Sequence, residues 1–161
     1  MNYISVGIDP GGSTGCICAK FVSEGKEDYQ YLRFKDATIT DMYLFLRRTK
    51  KMSVVSSGKL FCVLEKVHSM PGQGVSSSFK FGVNYGTLLG LLTALKIPFQ
   101  EVSPAKWTKD MGKQKRTGED KADSKKRRRA EAEALYPHIK FVNDKVDAHW
   151  LAIYAERLIT K

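Results

Sequence analysis

The pattern of hydrophobic and polar positions divides the chain into five short apolar segments and five longer segments with helical periodicity. The short segments are rich in β-branched and aromatic residues, which predicts strands at 3–8, 16–22, 29–35, 59–65 and 97–102. The longer segments predict helices from Thr40 or Asp41 onward, over 76–95, over 103–110, from Asp123 or Ser124 to 136, and over 143–155. Alternation of this kind is typical of α/β proteins.

The order of these segments predicts a mixed sheet. A polar turn at 23–28 joins the second and third strands, which favours an antiparallel hairpin beside the first strand. The strand 59–65 follows a helix, and a strand reached through a helical crossover lies parallel to the first. We therefore predict an α/β fold with a five-stranded mixed sheet flanked by helices, in a single domain spanning 1–161.

Two of the predicted strands end in a carboxylate. Asp9 follows the first strand directly, and Pro10 with three glycines then predicts a tight turn. Glu65 ends the strand 59–65. Because parallel strands present their carboxyl ends at one edge, where α/β sheets hold their ligands, we expect these two acids to lie together. The alternative for Asp9 is that it only initiates the turn, as Asp often does before Pro or Gly.

A second pair of acids opens the last predicted helix. Asp144 and Asp147 are three residues apart, so both can face the same way over one turn. The alternative is an ordinary helix start, where acids are favoured by capping and by the helix dipole. The residues around Asp147 are apolar enough to bury it, so this alternative explains Asp147 less well than Asp144.

Burying four carboxylates together requires a cation. Ligation by oxygen alone suits Mg²⁺ or Mn²⁺, and the sequence has no His or Cys set that indicates zinc. We therefore expect two Mg²⁺ ions, with Mn²⁺ as a substitute, in a site that hydrolyses phosphodiester bonds.

The net charge of +10 is concentrated in one segment. Between Pro104 and Ala130 the chain has eleven Lys or Arg against four Asp or Glu, which accounts for seven of the ten charges. Such a block is typical of a surface that binds nucleic-acid backbone. The alternative is a solvated loop or a localisation signal.

The three cysteines Cys16, Cys18 and Cys62 fall in apolar segments, which predicts buried, reduced thiols and an intracellular protein. No apolar run is long enough to cross a bilayer, so we expect no membrane partner. Trp107 is expected to pack beneath the basic segment rather than stack on nucleic acid.

Glycines recur every four residues on the predicted helix 76–95, at Gly82, Gly86 and Gly90. Each costs about 1 kcal/mol relative to Ala in a helix, so a close approach of another backbone is expected there. Two alternatives stay open: the stripe packs against the sheet of the same molecule, or against the same helix of a second subunit.

Three segments resemble the RuvC family of Holliday junction resolvases, which are RNase H-like nucleases. They are 7–11 with Asp9, 64–67 with Glu65, and 144–153, where Asp144 and Asp147 precede an alanine-bearing apolar helix. Each segment alone is a weak signal, but their order and spacing along nearly the whole chain are specific as a set.

The resemblance implies an RNase H-like fold in which Asp9, Glu65, Asp144 and Asp147 bind two Mg²⁺ ions. It implies a homodimer built partly on the glycine-bearing helix. It also implies branched DNA as the partner, chiefly four-way junctions, which are nicked symmetrically to leave 5′-phosphate ends in DNA recombination or repair. The expected location is the cytoplasm of a bacterium or of a virus-infected host cell.

The chain departs from the family in two places. His68 stands where bacterial members commonly have a Phe that wedges into the junction, and His stacks on a base less strongly. The basic segment also resembles that of phage or viral relatives, some of which act on branched DNA more broadly. The residues expected to contact the DNA backbone are Lys106, Lys109, Lys113, Lys115 and Arg116.

Three alternatives to a resolvase share features with this sequence. The first is a nuclease that debranches DNA more generally. The second is a non-catalytic RNase H-like module that binds nucleic acid, but such a module gains nothing from a buried group of acids. The third is an ATP-binding domain of the sugar-kinase or actin type, which also begins with a strand, an Asp and a glycine turn. Those enzymes need two such domains around the nucleotide.

Overall fold

Five strands form one mixed sheet in the order β3-β2-β1-β4-β5. The structure is a computed structural model, and it describes residues 2–66 and 74–161. The strands are β1 (Tyr3–Asp9), β2 (Cys16–Ser23), β3 (Lys26–Arg33), β4 (Lys59–Glu65) and β5 (Phe99–Val102). β2 pairs antiparallel with both β1 and β3, whereas β4 is parallel to β1 and β5 is parallel to β4. The predicted mixed α/β sheet is therefore confirmed.

Five α-helices accompany the sheet in the described ranges: α1 (Ile39–Val55), α2 (Val75–Ala94), α3 (Pro104–Asp110), α4 (Lys121–Leu135) and α5 (Asn143–Ile159). The predicted starts of α1 and α4 were wrong by a few residues. Thr38 and Asp120 are the N-caps, and each forms a capping box with the acid three residues later, Asp41 or Asp123. The reciprocal hydrogen bonds of a capping box place that acid inside the first turn.

The helices lie on both faces of the sheet. One hydrophobic core lies between the sheet and helices α1 and α2 and includes Ile8, Leu46 and Leu88. A second core lies under α3, α4 and α5 and includes Val63 and Trp107. Successive strand residues face opposite sides, so the odd-numbered positions of β1 and β4 face the second core.

Helix α5 lies directly on β1, and Gly7 is the point of contact. A Cβ atom added to Gly7 would stand 2.2 Å from the backbone nitrogen of Ala152 and 2.3 Å from the carbonyl oxygen of Ala148. Both distances are far below van der Waals contact, so only glycine permits this approach. The sequence at position 7 therefore sets how closely the last helix packs on the central strand.

Three strand boundaries differ from the prediction by two residues or more. β3 begins at Lys26, inside the predicted turn 23–28, because its pairing with β2 continues to Ser23 opposite Lys26. β3 ends at Arg33 because Phe34–Asp36 forms a short 3₁₀ helix, in which buried Phe34 donates its N–H to the carbonyl of Gly15. β5 begins only at Phe99. The predicted buried, reduced state of Cys16, Cys18 and Cys62 is confirmed. Within the described ranges, none of the helices is both long enough and apolar enough to span a membrane.

Candidate active site

Asp9 and Glu65 lie side by side at the carboxyl edge of the sheet. β1 and β4 pair in parallel up to Ile8 opposite Leu64, and the two acids are the next residue on each strand. Both are odd-numbered positions, so their side chains share the face covered by α5. The strand ends therefore bring these two predicted site residues together.

The first turn of α5 carries the other two acids to the same edge. The contact at Gly7 fixes Ala148 over β1, and Asp147 and Asp144 lie just before it on the helix. The negative charges of Asp147 and Asp144 both raise the pKa of Asp9. Asp147 also raises the pKa of Glu65. All four predicted acids thus belong to one electrostatic cluster, which we call the acidic centre.

The Asp9 carboxylate is held by the turn that follows β1. Its Oδ1 accepts a hydrogen bond of 3.0 Å from the backbone N–H of Gly11. Burial, followed by the charge of Asp147, raises the pKa of Asp9 to about 6, although the Gly11 hydrogen bond and the charge of Lys125 act in the opposite direction. The turn positions Asp9 but does not neutralise it.

Glu65 is held by Trp107 of α3. The indole Nε1 donates a hydrogen bond of 2.8 Å to Glu65 Oε1, and the ring is buried in the second core. Burial, followed by the charge of Asp9, raises the pKa of Glu65 to about 8, and the Trp107 hydrogen bond lowers it. The expectation that Trp107 packs inside the protein is confirmed, and its hydrogen bond to the site is an addition.

Asp144 and Asp147 are paired with cationic side chains. Arg33 Nη2 lies 2.7 Å from Asp144 Oδ2. Arg128 Nε lies 3.0 Å from Asp147 Oδ1, and Lys125 Nζ lies 3.5 Å from Asp147 Oδ2. In residues 2–66 and 74–161, no three His, Cys, Asp or Glu side chains are arranged as a ready-made metal site. As placed, the protein's own cations occupy half of the acidic centre.

Sequence reasoning missed these cations. Arg33 lies inside the predicted strand 29–35, and only the strand register reveals its place: Asp9 pairs with Cys16, which in turn pairs with Arg33 across the sheet. Lys125 and Arg128 were counted in the basic segment without a specific role. Their spacing of three residues on one helix was the available signal, because it places both on the same face.

The residues predicted to contact DNA differ in exposure and in their contacts within the protein. Lys109, Lys115 and Arg116 are exposed, and Lys106 is exposed but bonded to Asp110 at 3.0 Å. Lys113 is mostly buried, pairs with Glu131, and lies 4.0 Å from the ring centroid of Trp150. Internal contacts therefore occupy the Lys113 ammonium. His68, the predicted wedge, lies outside the described residues.

The glycine stripe of α2 faces outward. A Cβ atom added to Gly82, Gly86 or Gly90 meets no atom within 4 Å among the described residues. The alternative that the stripe packs against the sheet of the same molecule is therefore wrong, because other residues of the helix, such as Leu88 and Leu92, make that contact.

The acidic centre has the chemistry of a site for hard divalent cations. Asp9 and Glu65 are carboxylates in a buried setting that disfavours their negative charge, as their raised pKa values show. Carboxylate oxygens of Asp9, Glu65, Asp144 and Asp147 are the donors that Mg²⁺ and Mn²⁺ prefer. The donor types of these four residues therefore suit the predicted ions, and an ion at Asp144 or Asp147 would have to displace the paired Arg33, Arg128 or Lys125.

Comparison with known proteins places the fold. No protein-family model matches the sequence, and no curated protein matches it. The structure is similar to RuvC of Thermus thermophilus, with a TM-score of 0.56 and 13% identity over 98% of this chain and 97% of that one. The same protein in complex with a Holliday junction substrate gives a TM-score of 0.56 at 13% identity, over 97% of this chain and 96% of that one.

The yeast mitochondrial Holliday junction resolvase Ydc2 gives a TM-score of 0.47 at 16% identity, over 91% of this chain and 75% of that one. The likeness to the Thermus protein spans nearly the full length of both chains. The five-stranded mixed sheet with helices on both faces is thus the RNase H-like fold of the RuvC Holliday junction resolvases.

Proposed function

We propose that this chain is a Mg²⁺-dependent endonuclease that resolves four-way DNA junctions in recombination or repair. It cuts by phosphodiester hydrolysis, in paired symmetric nicks that leave 5′-phosphate ends. The observation that carries the proposal is the acidic centre: Asp9 and Glu65 lie at adjacent strand ends beneath the helix that carries Asp144 and Asp147. A protein that only binds DNA has no use for buried acids beside a polyanion.

The similarity of the fold to RuvC supports the same proposal. One of the two Thermus RuvC structures is a complex with a Holliday junction substrate. In open α/β sheets generally, ligands bind at the carboxyl edge of the sheet. The acidic centre of this chain lies at that edge.

Asp9, Glu65, Asp144 and Asp147 would hold the two ions. Bound Mg²⁺ supplies Lewis-acid activation of water and stabilises the charge that develops on the leaving 3′ oxygen. The protein contributes orientation: the Gly11 N–H fixes one oxygen of Asp9, and the Trp107 indole fixes one oxygen of Glu65. Fixed carboxylates reduce the reorganisation needed when the ions bind.

The cations around the acidic centre serve the substrate. Lys125 and Arg128 are partly exposed on α4 and reach Asp147. A phosphodiester bound at the acidic centre would lie near Lys125 and Arg128 and would offer them a second anionic partner. We propose that they hold the scissile strand while the acids hold the ions.

We also propose a homodimer, because symmetric nicking needs two centres. The outward face of α2 is apolar at Val75, Phe79 and Val83, which are 88%, 73% and 45% exposed. The exposed glycine stripe runs along the same helix, and glycines allow two helices to approach closely. This face is therefore the proposed subunit contact.

The test compares end-labelled four-way, Y-shaped and linear duplex DNA in Mg²⁺. We expect paired symmetric cuts in the four-way substrate alone. The Asp9→Asn protein should bind the four-way substrate in Ca²⁺ as the unaltered protein does, yet leave it uncut in Mg²⁺. Asp28→Asn is the matched control. Asp28 is exposed and lies near the end of β3 that is far from Arg33 and the acidic centre, so this variant should cut normally.

Each other outcome contradicts a stated part of the proposal. Equal cutting of Y-shaped DNA would indicate general debranching rather than junction resolution. Junction binding with no cutting by the unaltered protein in either Mg²⁺ or Mn²⁺ would indicate a non-catalytic binding module. Loss of binding in Asp9→Asn would show that this carboxylate serves DNA affinity and not the ions.

A further inference from the structure

We propose that a second basic surface, on the side of the acidic centre away from α4, binds a backbone phosphate of the DNA. This surface, which we call the β3 pocket, is formed by Tyr31, Arg33, Lys140, Val142 and Lys145. The inference rests on the proposed function and deepens it, because it names a binding site outside the basic segment 104–130.

The β3 pocket is a concave surface of about 650 Å³. It lies where the end of β3 meets the residues that lead into α5 and the first turn of that helix. Its lining includes three cationic residues, Arg33, Lys140 and Lys145, and one acid, Asp36. Asp36 is exposed and lies 3.9 Å from Arg33 Nη1, so it offsets only part of the positive charge.

Internal contacts orient Lys145 without neutralising it. Its Nζ donates a hydrogen bond of 3.2 Å to the carbonyl of Lys140 and lies 4.7 Å from the ring centroid of Tyr31. Neither contact supplies a negative charge, and no carboxylate in the described residues lies within ion-pair distance of Lys145 or Lys140. A pre-oriented ammonium beside an exposed one is suited to a phosphate.

Arg33 connects the β3 pocket to the acidic centre. Its guanidinium lines the pocket and also bonds to Asp144, with Nε at 3.1 Å and Nη2 at 2.7 Å from the same oxygen. A phosphate in the pocket therefore lies one arginine side chain from Asp144. The pocket is therefore adjacent to the acidic centre.

The two basic surfaces lie on opposite sides of the first turn of α5. Lys125, Lys126 and Arg129 line a pocket of about 580 Å³ on α4. On that side Arg128 reaches Asp147, while on the other side Arg33 reaches Asp144. A DNA strand that crosses the acidic centre thus meets cations before and after the cut, which favours backbone DNA over a free nucleotide as the ligand.

The test is the salt dependence of junction binding in Ca²⁺, measured by fluorescence anisotropy. The double variant Lys140→Gln/Lys145→Gln removes two charges from the β3 pocket. The matched control, Lys26→Gln/Lys59→Gln, removes two exposed charges at the opposite end of the sheet. Each phosphate contact contributes a slope of about 0.9 to log Kd against log salt, so we expect the slope to fall by about 1 in the pocket variant and to stay unchanged in the control.

The position of the contact is tested with neutral methylphosphonate linkages placed singly around the cut. In the unaltered protein one linkage beside the scissile phosphate should weaken binding about tenfold, and that penalty should shrink in Lys140→Gln/Lys145→Gln, which leaves only Arg33 as a cation in the pocket. Equal slopes in the pocket variant and the unaltered protein, or an undiminished penalty in the pocket variant, would overturn the inference. If the unaltered protein shows no preference for four-way DNA, the proposed function fails instead.

Discussion

The indole N–H of Trp107 donates a 2.8 Å hydrogen bond to the carboxylate of Glu65. The contact links α3 to the end of β4 and leaves the second carboxylate oxygen of Glu65 available to an ion. The ring of Trp107 also lies 5.9 Å from the guanidinium carbon of Arg128, which bonds to Asp147. One buried aromatic residue therefore holds Glu65 directly and also contacts the arginine that pairs with Asp147.

We expect Trp107→Phe to weaken Mn²⁺ binding about tenfold, because loss of the N–H leaves Glu65 without its orienting partner. Calorimetric titration with Mn²⁺ in the absence of DNA measures this directly. Trp150→Phe is the matched control, since its N–H bonds to the carbonyl of Arg128 instead of a carboxylate. Equal Mn²⁺ affinities in the two variants would mean that Trp107 only fills the core.

The tight contact at position 7 predicts a large loss of stability in Gly7→Ala. The new methyl group would clash with backbone atoms of Ala148 and Ala152, which cannot move aside as a side chain can. We expect a loss of about 3 kcal/mol or more in the free energy of unfolding, measured by urea denaturation. Gly12→Ala, where a Cβ meets nothing within 4 Å among the described residues, should stay within about 1 kcal/mol of the unaltered protein.

The acidic centre predicts that the metal-free protein loses stability as the pH rises. Burial and neighbouring acids raise the pKa of Asp9 from 3.8 to about 6. A raised pKa means that the folded state binds more protons than the unfolded state, so the stabilisation present below pH 4 is lost as the pH rises through about 6.

Asp9→Asn should therefore raise the free energy of unfolding at pH 8 in EDTA by roughly 1 to 3 kcal/mol, because the amide carries no charge to bury. Denaturation at pH 5 and pH 8 measures the effect, which should be smaller at pH 5. Mn²⁺ should stabilise the unaltered protein more at pH 8 than at pH 5, since the ions compete with protons for the acids. A destabilised Asp9→Asn protein at pH 8 would contradict this account.

The outward face of α2 predicts that Phe79→Lys yields a monomer. Phe79 is 73% exposed, and a charge at the centre of an apolar subunit contact opposes association. Light scattering coupled to gel filtration gives the mass of each species. Leu135→Lys on α4, at a position 64% exposed, is the control and should remain dimeric. A monomeric unaltered protein at micromolar concentration would contradict the proposed subunit contact.

The strand acids could be predicted from the sequence because their environment is local. Asp9 and Glu65 each end an apolar run, and a parallel arrangement follows from the helix between the strands. The metal-binding role of the four acids stays a prediction. The capping boxes at Thr38 and Asp120 were also encoded locally, but the acids inside the first turn were mistaken for the caps.

The ion pairs could not be predicted, because they join residues far apart in the chain. Arg33 and Asp144 are separated by 111 positions in the chain. They meet only because β1, β2 and β3 pair side by side and α5 packs on Gly7. The exposure of the α2 glycines could not be predicted either, since an exposed stripe and a buried one have the same spacing in the sequence. Hydrophobic periodicity predicts which side of an element is apolar but not what covers it.

The order in which the chain emerges during synthesis gives the Gly7 contact a further meaning. During synthesis the two strand acids are made before the helix that packs on Gly7. Until that helix docks, half of the carboxylates are missing from the edge of the sheet. On the proposed function, a chain in which α5 has not docked on β1 would lack Asp144 and Asp147 at the acidic centre and would not cut DNA.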